Sequence, residues 1–484
     1  MGAMRDVVPN LTRRQFCRLI GAVGAGATFS ACGDGGNSAP ADKVLVIGAG
    51  IAGLTAANAL TAAGVEVELI EGRSRVGGRI WTVDFAGGAV DLGAAWIHGP
   101  DGNPTACLMR DNGIEWRAAE VADASISAWD AENGLLSGTE LLNVFLSAQV
   151  EFEAAAPALL AALGPQASVA DAAHRFLDDQ GSQGDARRYA EFALLQGTFE
   201  LFYGGRADDI SLAEAYSDIG FSGGNMFPVG GYRRLVDLLA DGLAIHTGET
   251  VRRIAWNGDG VQVDTDSTRH RGSHAIVTLP LGVLRAGSVA FEPGLPAAKR
   301  GAIDRLAMAP FEKIVLSFPQ AFWVEQRRRS IVYISRTYGE LPAYFDLTRF
   351  TGSPALLCFY AGTWSATATA LSDSELVRRE MEILREMFGA GIPEPTGVLR
   401  TRWTEDPFSR GSYSYVPVGA SLQDMNVLGE PVGGRLLFAG EATVPEYYGT
   451  VTAAYLSGLR EARRLLGVTD VGLLTGAAPD VGCA

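Results

Sequence analysis

Residues 43–79 read KVLVIGAGIAGLTAANALTAAGVEVELIEGRSRVGGR, and this stretch constrains the fold more than any other part of the chain. The apolar run Val44 to Ile47 suits a strand buried on both faces of a parallel sheet. Gly48, Gly50 and Gly53 follow in G-x-G-x-x-G spacing, then an alanine-rich helical stretch, a second strand from Val65 to Ile70, and an acid, Glu71, at its end. Gly48 permits the tight turn, Gly50 lets the backbone approach a pyrophosphate, and Gly53 lets the helix pack on the strand. The helix N-terminus offers free N–H groups and a positive dipole end to phosphates. Glu71 can accept hydrogen bonds from a ribose diol. Strand, turn, helix, strand and acid in this order predict a dinucleotide-binding βαβ unit.

The continuation narrows the cofactor. Arg73 and then Arg75-Val76-Gly77-Gly78-Arg79 place two adjacent glycines between arginines, which suits a second close approach to the pyrophosphate at Gly78. That extension is typical of flavoproteins with the two-dinucleotide-binding motif and is not expected of NAD dehydrogenases, so the expected cofactor is FAD.

At 484 residues the chain has room for two or three packed units. A formal charge of −15 argues against a nucleic-acid partner. The first residues read as targeting rather than fold. Thr12-Arg13-Arg14-Gln15-Phe16 followed by Leu19 matches a twin-arginine export signal over residues 1–32, with 33–42 as a flexible tether. Phe29-Ser30-Ala31-Cys32 resembles a lipoprotein cleavage box, which would make Cys32 a lipidated membrane tether; cleavage nearby by an ordinary signal peptidase is the alternative. The expected location is the periplasm or cell envelope. Cys107, Cys358 and Cys483 show neither metal-ligand spacing nor a pairing pattern, so no disulfide framework and no metal site are expected.

Val90 to Gly99 sets small residues beside Trp96 and His98, letting backbone run close to a flat ring. From Asn103 to about Ala215 the spacing of apolar residues predicts mainly helix. Within it Thr198-Phe199-Glu200-Leu201-Phe202-Tyr203 stands an acid among aromatics. A helix is predicted over 233–243, then strands over 250–254 and 275–280 that return to the nucleotide-binding unit. Phe311 to Phe318 places Lys313 inside an apolar strand, and alternation alone does not say whether it is structural. Phe438-Ala439-Gly440-Glu441 reads as a buried strand ending in glycine and acid, where open α/β sheets bind ligands. A final helix runs to about Leu466.

Taken together, the N-terminal motif, Trp96-Ile97-His98-Gly99, Thr278-Leu-Pro-Leu-Gly-Val-Leu284, Lys313, Gly411-Ser-Tyr-Ser-Tyr415 and Ala439-Gly-Glu441 resemble the flavin amine oxidase family over about 43–466. Within it the chain looks most like polyamine and spermine oxidases and the catalytic domain of the lysine-specific histone demethylase. With an export signal and no added helical tower legible, the demethylase reading is set aside. The resemblance implies an α/β two-domain architecture. A Rossmann-type FAD-binding domain would comprise 43–100, 225–285 and 400–467, an α+β substrate domain 101–224 and 286–399, and 468–484 would be a flexible tail.

It also implies residue roles. Ala52, Glu71, Arg73, Arg79, Ala95, Trp96, Val251, Glu441, Thr450 and Val451 align with residues that hold FAD, with Thr450 and Val451 opening a helix whose N-terminus faces the flavin pyrimidine ring. Trp403 would flank the isoalloxazine, and Lys313 matches the lysine that reaches flavin N5 through a water and assists reoxidation. Tyr413 supplies one cage tyrosine, while Thr450 stands where monoamine oxidases carry the second; Tyr447 and Tyr448 would line the same cavity. Ser412 replaces the cysteine that tethers FAD in those oxidases, so FAD is expected to be non-covalent. His98 matches a rim histidine that contacts a substrate amine, and Glu200 lies near an acid that pairs with a distal ammonium. The implied reaction is oxidation of a polyamine-like amine to an imine, hydrolysed to aldehyde and amine, with O2 reduced to H2O2. The rivals are an L-amino-acid or other monoamine oxidase, and an exported amine dehydrogenase that passes electrons to a redox protein such as a cytochrome.

Overall fold

The computed structural model describes residues 43–468 apart from 120–124, 137, 217–219, 324–327 and 341–342. The expected signal, the tether with Cys32, and the tail beyond Val468 lie outside the described residues.

The opening motif folds as its sequence dictates. Lys43–Ile47 is the middle strand of a five-stranded parallel sheet. Glu66–Glu71 and then Ile245–Thr247 lie on one side, His274–Val277 and then Leu436–Phe438 on the other. Side chains alternate between two cores. Leu45, Ile47, Ala275, Val277, Leu436 and Phe438 face one, whereas Val44, Val46, Ile276 and Leu437 face the other. Each fully buried Val, Leu or Ile contributes about 1.5–3 kcal/mol, so continuous apolar runs are what a sheet covered on both faces requires. The strand order reverses at Lys43–Ile47, which opens a crevice at the carboxyl ends of that strand and of His274–Val277. Gly48 turns the chain there at φ +104°, a conformation a side chain would strain.

The helix Ile51–Ala62 leaves this turn and packs against the final helix, Val451–Leu465. A Cβ at Gly53 would stand 1.9 Å from the Gly48 carbonyl oxygen, so only glycine lets the helix sit this close to its own strand.

A seven-stranded sheet forms the second large layer, in the order Gly397–Arg400, Glu312–Ser317, Ala355–Tyr360, Ala343–Asp346, Arg328–Ile334, Ser125–Asp130, Gly134–Leu135. The last two strands, with Trp116–Ala118, interrupt the mainly helical pattern expected between 103 and 215. Ser125–Asp130 is held by parallel pairing to Arg328–Ile334, a partner some two hundred residues away that no local pattern reveals. Asp130 at its end is fully buried and takes Arg188 at 2.5 Å. The remainder of the region is helical as expected, with Gly138–Leu163, Val169–Asp179 and Gly184–Glu191 leading into a π-helix, Phe192–Glu200. Cys358 is a buried free thiol, but Cys107 is disulfide-bonded, against the expectation of unpaired cysteines.

Candidate active site

One continuous cavity of ≈730 Å³ runs from the crevice of the parallel sheet to the face of the seven-stranded sheet. At its first end lie Glu71, Arg73 and Glu249–Arg252, in the middle Gly48, Gly50, Gly78 and Arg79, and at the far end Lys313, Trp403, Tyr413 and Thr450.

The first half is shaped for a dinucleotide. Helix Ile51–Ala62 starts at Gly50 with no side-chain cap and no acid in its first turn, so its leading N–H groups are open to an anion in the cavity. Gly50 bridges to Gly77, and a Cβ on Gly78 would stand 3.2 Å from the Gly50 Cα, so two glycine backbones form a close cradle. Glu71 is buried and accepts from the Ala49 N–H at 2.7 Å and the Arg73 N–H at 2.8 Å. A carboxylate has about four acceptor sites, which leaves room for a ribose diol. Arg75 turns away from the cavity and donates to the carbonyls of Val76, Gly78 and Ile80, so it shapes the glycine loop. Arg73 pairs with Asp406 at 2.6 Å. Ala52, Ala95, Trp96, Val251 and Val451 line the cavity with these groups. Gly53 does not, because it is spent on packing the helix against Gly48.

Further along, Arg79 pairs with Glu441 at 2.7 Å. Glu441 is buried and also accepts from Ser414 Oγ at 2.5 Å and the Gly449 N–H at 2.9 Å. One carboxylate thus ties the glycine loop, the strand Ser414–Tyr415 and the approach to the last helix together. Thr450 caps that helix, accepting from the Ala453 N–H at 3.0 Å and donating to the Tyr447 carbonyl at 2.6 Å. The N–H groups of the helix's first turn then point into the far end, where a positive dipole end suits developing negative charge.

At that end the buried Lys313 donates to the carbonyls of Asp91 at 2.9 Å and Gly93 at 2.6 Å, with its Nζ 5.2 Å from the Trp96 ring centre. Burial pushes its pKa down, opposed by the Asp91 carboxylate; burial pushes Asp91 up. Trp403 is buried and anchored by Nε1 donating to the Leu92 carbonyl at 3.1 Å, which fixes a flat indole on the cavity wall. Tyr413 donates to the Phe202 carbonyl at 3.1 Å. Ser412 donates from Oγ to the Ala309 carbonyl at 2.7 Å, a hydroxyl that forms no covalent tether.

Beyond these residues the cavity is aromatic: Phe202, Tyr203, Phe221, Phe311, Phe359, Tyr447 and Tyr448 all line it. Tyr447 stacks on Phe221 at 5.0 Å and 10°. His98 lies exposed at the rim with Nδ1 2.8 Å from Asn225 Oδ1.

Glu200 does not lie where the resemblance implies. It is 3% exposed and absent from the cavity wall; its carboxylate accepts from the Ala207 N–H and the Thr363 hydroxyl, both at 3.1 Å. A Cβ on Gly362 would fall 2.4 Å from its Cδ, so this acid is packed against backbone on the far side of the π-helix. The π-helix widens the turn and sends Gly197, Leu201, Phe202 and Tyr203 into the cavity instead. Such bulges frequently mark functional sites, and the Leu201-Phe202-Tyr203 run was the usable signal in this stretch. Asn225 and Phe221 carried no signal in the sequence, since a single Asn or Phe in a loop has no pattern.

A model of the flavin-containing amine oxidoreductases matches residues 51–466. This chain belongs to that family. Its cofactor is FAD, and the uncapped helix, the glycine cradle and Glu71 are the features that fit it. Among curated relatives, lysine-specific histone demethylase 1 homolog 1 of Oryza sativa subsp. japonica is 34% identical over 464 residues, covering 89% of this chain and 53% of that protein. Lysine-specific histone demethylase 1 homolog 2 of Arabidopsis thaliana is 34% identical over 451 residues, covering 88% of this chain and 59% of that protein. The chain therefore spans little more than half the length of these relatives. Among solved structures, putrescine oxidase bound to putrescine aligns with a TM-score of 0.74 at 21% identity, covering 88% of this chain and 99% of that one. The enzyme has the flavin amine oxidase fold.

Proposed function

We propose that this amine oxidase takes a small amine carrying one charged nitrogen on an apolar body, and passes its electrons to O2. The observation that carries the reading is the far end of the cavity, walled by Phe202, Tyr203, Phe221, Phe311, Phe359, Tyr413 and Tyr447. Among the described lining residues the only carboxylates are Glu71, Glu249 and Glu441, and each is engaged elsewhere. A second ammonium buried in this end would lack a counter-charge, which is costly. FAD, when bound, accepts a hydride equivalent from the amine's α-carbon. The residues do the rest. Tyr413, held by Phe202, presents a fixed ring face to the amine; Trp403 and Lys313 line the same end of the cavity; the Val451 helix end supports negative charge. His98, oriented by Asn225, offers a polar contact at the mouth.

A polyamine-like substrate is the second reading, favoured by Thr450 in place of a second cage tyrosine, which leaves the aromatic wall open on one side. Anaerobic mixing of the purified flavoprotein with aromatic monoamines, putrescine, spermidine, spermine and L-amino acids separates the readings. Rapid flavin bleaching by monoamines and slow bleaching by spermine support the first; the reverse order replaces it with the second. Residues 1–32 support export by the twin-arginine route, and we propose a cell-envelope location. Arg13→Lys with Arg14→Lys should retain the protein in the cytoplasm; unchanged fractionation would count against export by this route.

A further inference from the structure

Two of the three N–H donors of Lys313 are spent on the carbonyls of Asp91 and Gly93, and the third is left for the cavity. Behind this contact stands the Asp91 carboxylate. It accepts from Thr82 Oγ1 and, with both oxygens at 3.2 Å, from the Tyr232 N–H. The Tyr232 phenol is engaged with the Trp96 carbonyl at 3.1 Å, and the nearby Arg233 pairs outward with Asp84 at 2.7 Å. A separate small cavity of ≈60 Å³ opens against Asp91, lined also by Ala95, Phe227, Gly230, Phe350 and the exposed Arg117. The substrate cavity and this rear cavity meet at Ala95, which lines both.

Reduction of O2 to H2O2 takes two electrons and two protons. The hydride equivalent removed from the amine accounts for both electrons and one proton; the second proton comes from protein or solvent. We propose that Asp91 is a positioning residue for this half of the cycle, holding Lys313 as an ammonium that faces O2. The charges that face the pair are few. Asp91 stabilises the ammonium against its burial, Lys313 and Arg233 stabilise Asp91, and the Trp96 ring face lies near Nζ. The inference rests on the reading of this chain as an O2-using oxidase but not on which amine it takes.

The test avoids substrate. FAD-loaded protein is reduced anaerobically with stoichiometric dithionite and mixed with air-saturated buffer, following return of the oxidised flavin spectrum from pH 6 to 10. Asp91→Asn should reoxidise about tenfold more slowly near neutrality. The fall in rate with rising pH should also move to lower pH, because removing the anion weakens the hold on the ammonium proton. Lys313→Met should be slow, and adding Asp91→Asn to it should cause no further loss. Thermal unfolding of the four proteins supplies a readout independent of turnover: the double variant should lose less than the sum of the two singles. Should Asp91→Asn fail to retain FAD, Thr82→Val withdraws one hydrogen bond from the same carboxylate and should move the pH profile in the same direction by less. Wild-type reoxidation by Asp91→Asn with an unmoved pH profile, further slowing of Lys313→Met, or additive losses in unfolding temperature would each overturn the proposal. Wild-type protein that fails to reoxidise in air would instead sink the oxidase reading, a result distinct from all of these.

Discussion

Replacing Glu200 with Gln separates a substrate-binding acid from a packed one. Burial raises the Glu200 pKa from 4.5 to about 7, the bonds from Ala207 and Thr363 opposing the rise. The sign follows from linkage. A carboxyl raised in the folded state contributes its full stability below the unfolded value, near pH 4.5, and that contribution is lost as pH rises through about 7. The displacement corresponds to about 3 kcal/mol, lost by pH 8 and about three-quarters present at pH 5. Gln keeps an acceptor for the Ala207 N–H and cannot ionise. Glu200→Gln should therefore unfold later than wild type at pH 8, by up to about 3 kcal/mol in denaturant titration, and by less than about 1 kcal/mol at pH 5. KM for spermine and for monoamines should stay at the wild-type value at both pH values. A variant that loses affinity for spermine while showing the wild-type dependence of stability on pH would refute the placement of Glu200 outside the cavity.

Other outcomes follow from single contacts. Gly53→Ala should abolish FAD binding or folding, because its Cβ would meet the Gly48 carbonyl oxygen at 1.9 Å; soluble yield and flavin absorbance check this. Arg79→Ala leaves buried Glu441 without its ion partner and should cost about 3 kcal/mol of stability along with FAD retention, read as unfolding temperature and flavin content. Denaturation in acid should release all the FAD into solution, since Ser412 provides no tether; flavin remaining on the protein contradicts this. Cys358 is buried with its thiol pKa pushed well up, so it should resist thiol reagents in the folded protein and react on unfolding.

What the sequence made legible was the part governed by local rules. The turn at Gly48, the uncapped helix after it and the acid at Glu71 need one another within thirty residues, so their spacing carries the fold. Lys313, Trp403, Tyr413 and Glu441 were found by resemblance, and the structure gathers all four around one cavity. Glu200 failed for a physical reason: a π-helix rotates the residues that follow a widened turn, and periodicity of an ordinary helix cannot show which face an acid takes. Ser125–Asp130 was missed because its strand exists through pairing with Arg328–Ile334, and strand preference depends on such context. Asp91 looked like one more residue of a small-residue loop until its carbonyl was seen to accept from Lys313 and its buried carboxylate from the Tyr232 N–H.

The central claim is that an amine, held against Tyr413, delivers its electrons to FAD and then to O2. It is tested most directly by anaerobic stopped-flow reduction of the FAD-loaded protein with the amine panel, followed by admission of O2 and assay of peroxide. The account predicts flavin bleaching by at least one amine, fastest for a monoamine with an apolar body, and one H2O2 formed for each aldehyde released. A flavin that no amine in the panel bleaches, or that is bleached but yields no peroxide in air, would contradict it.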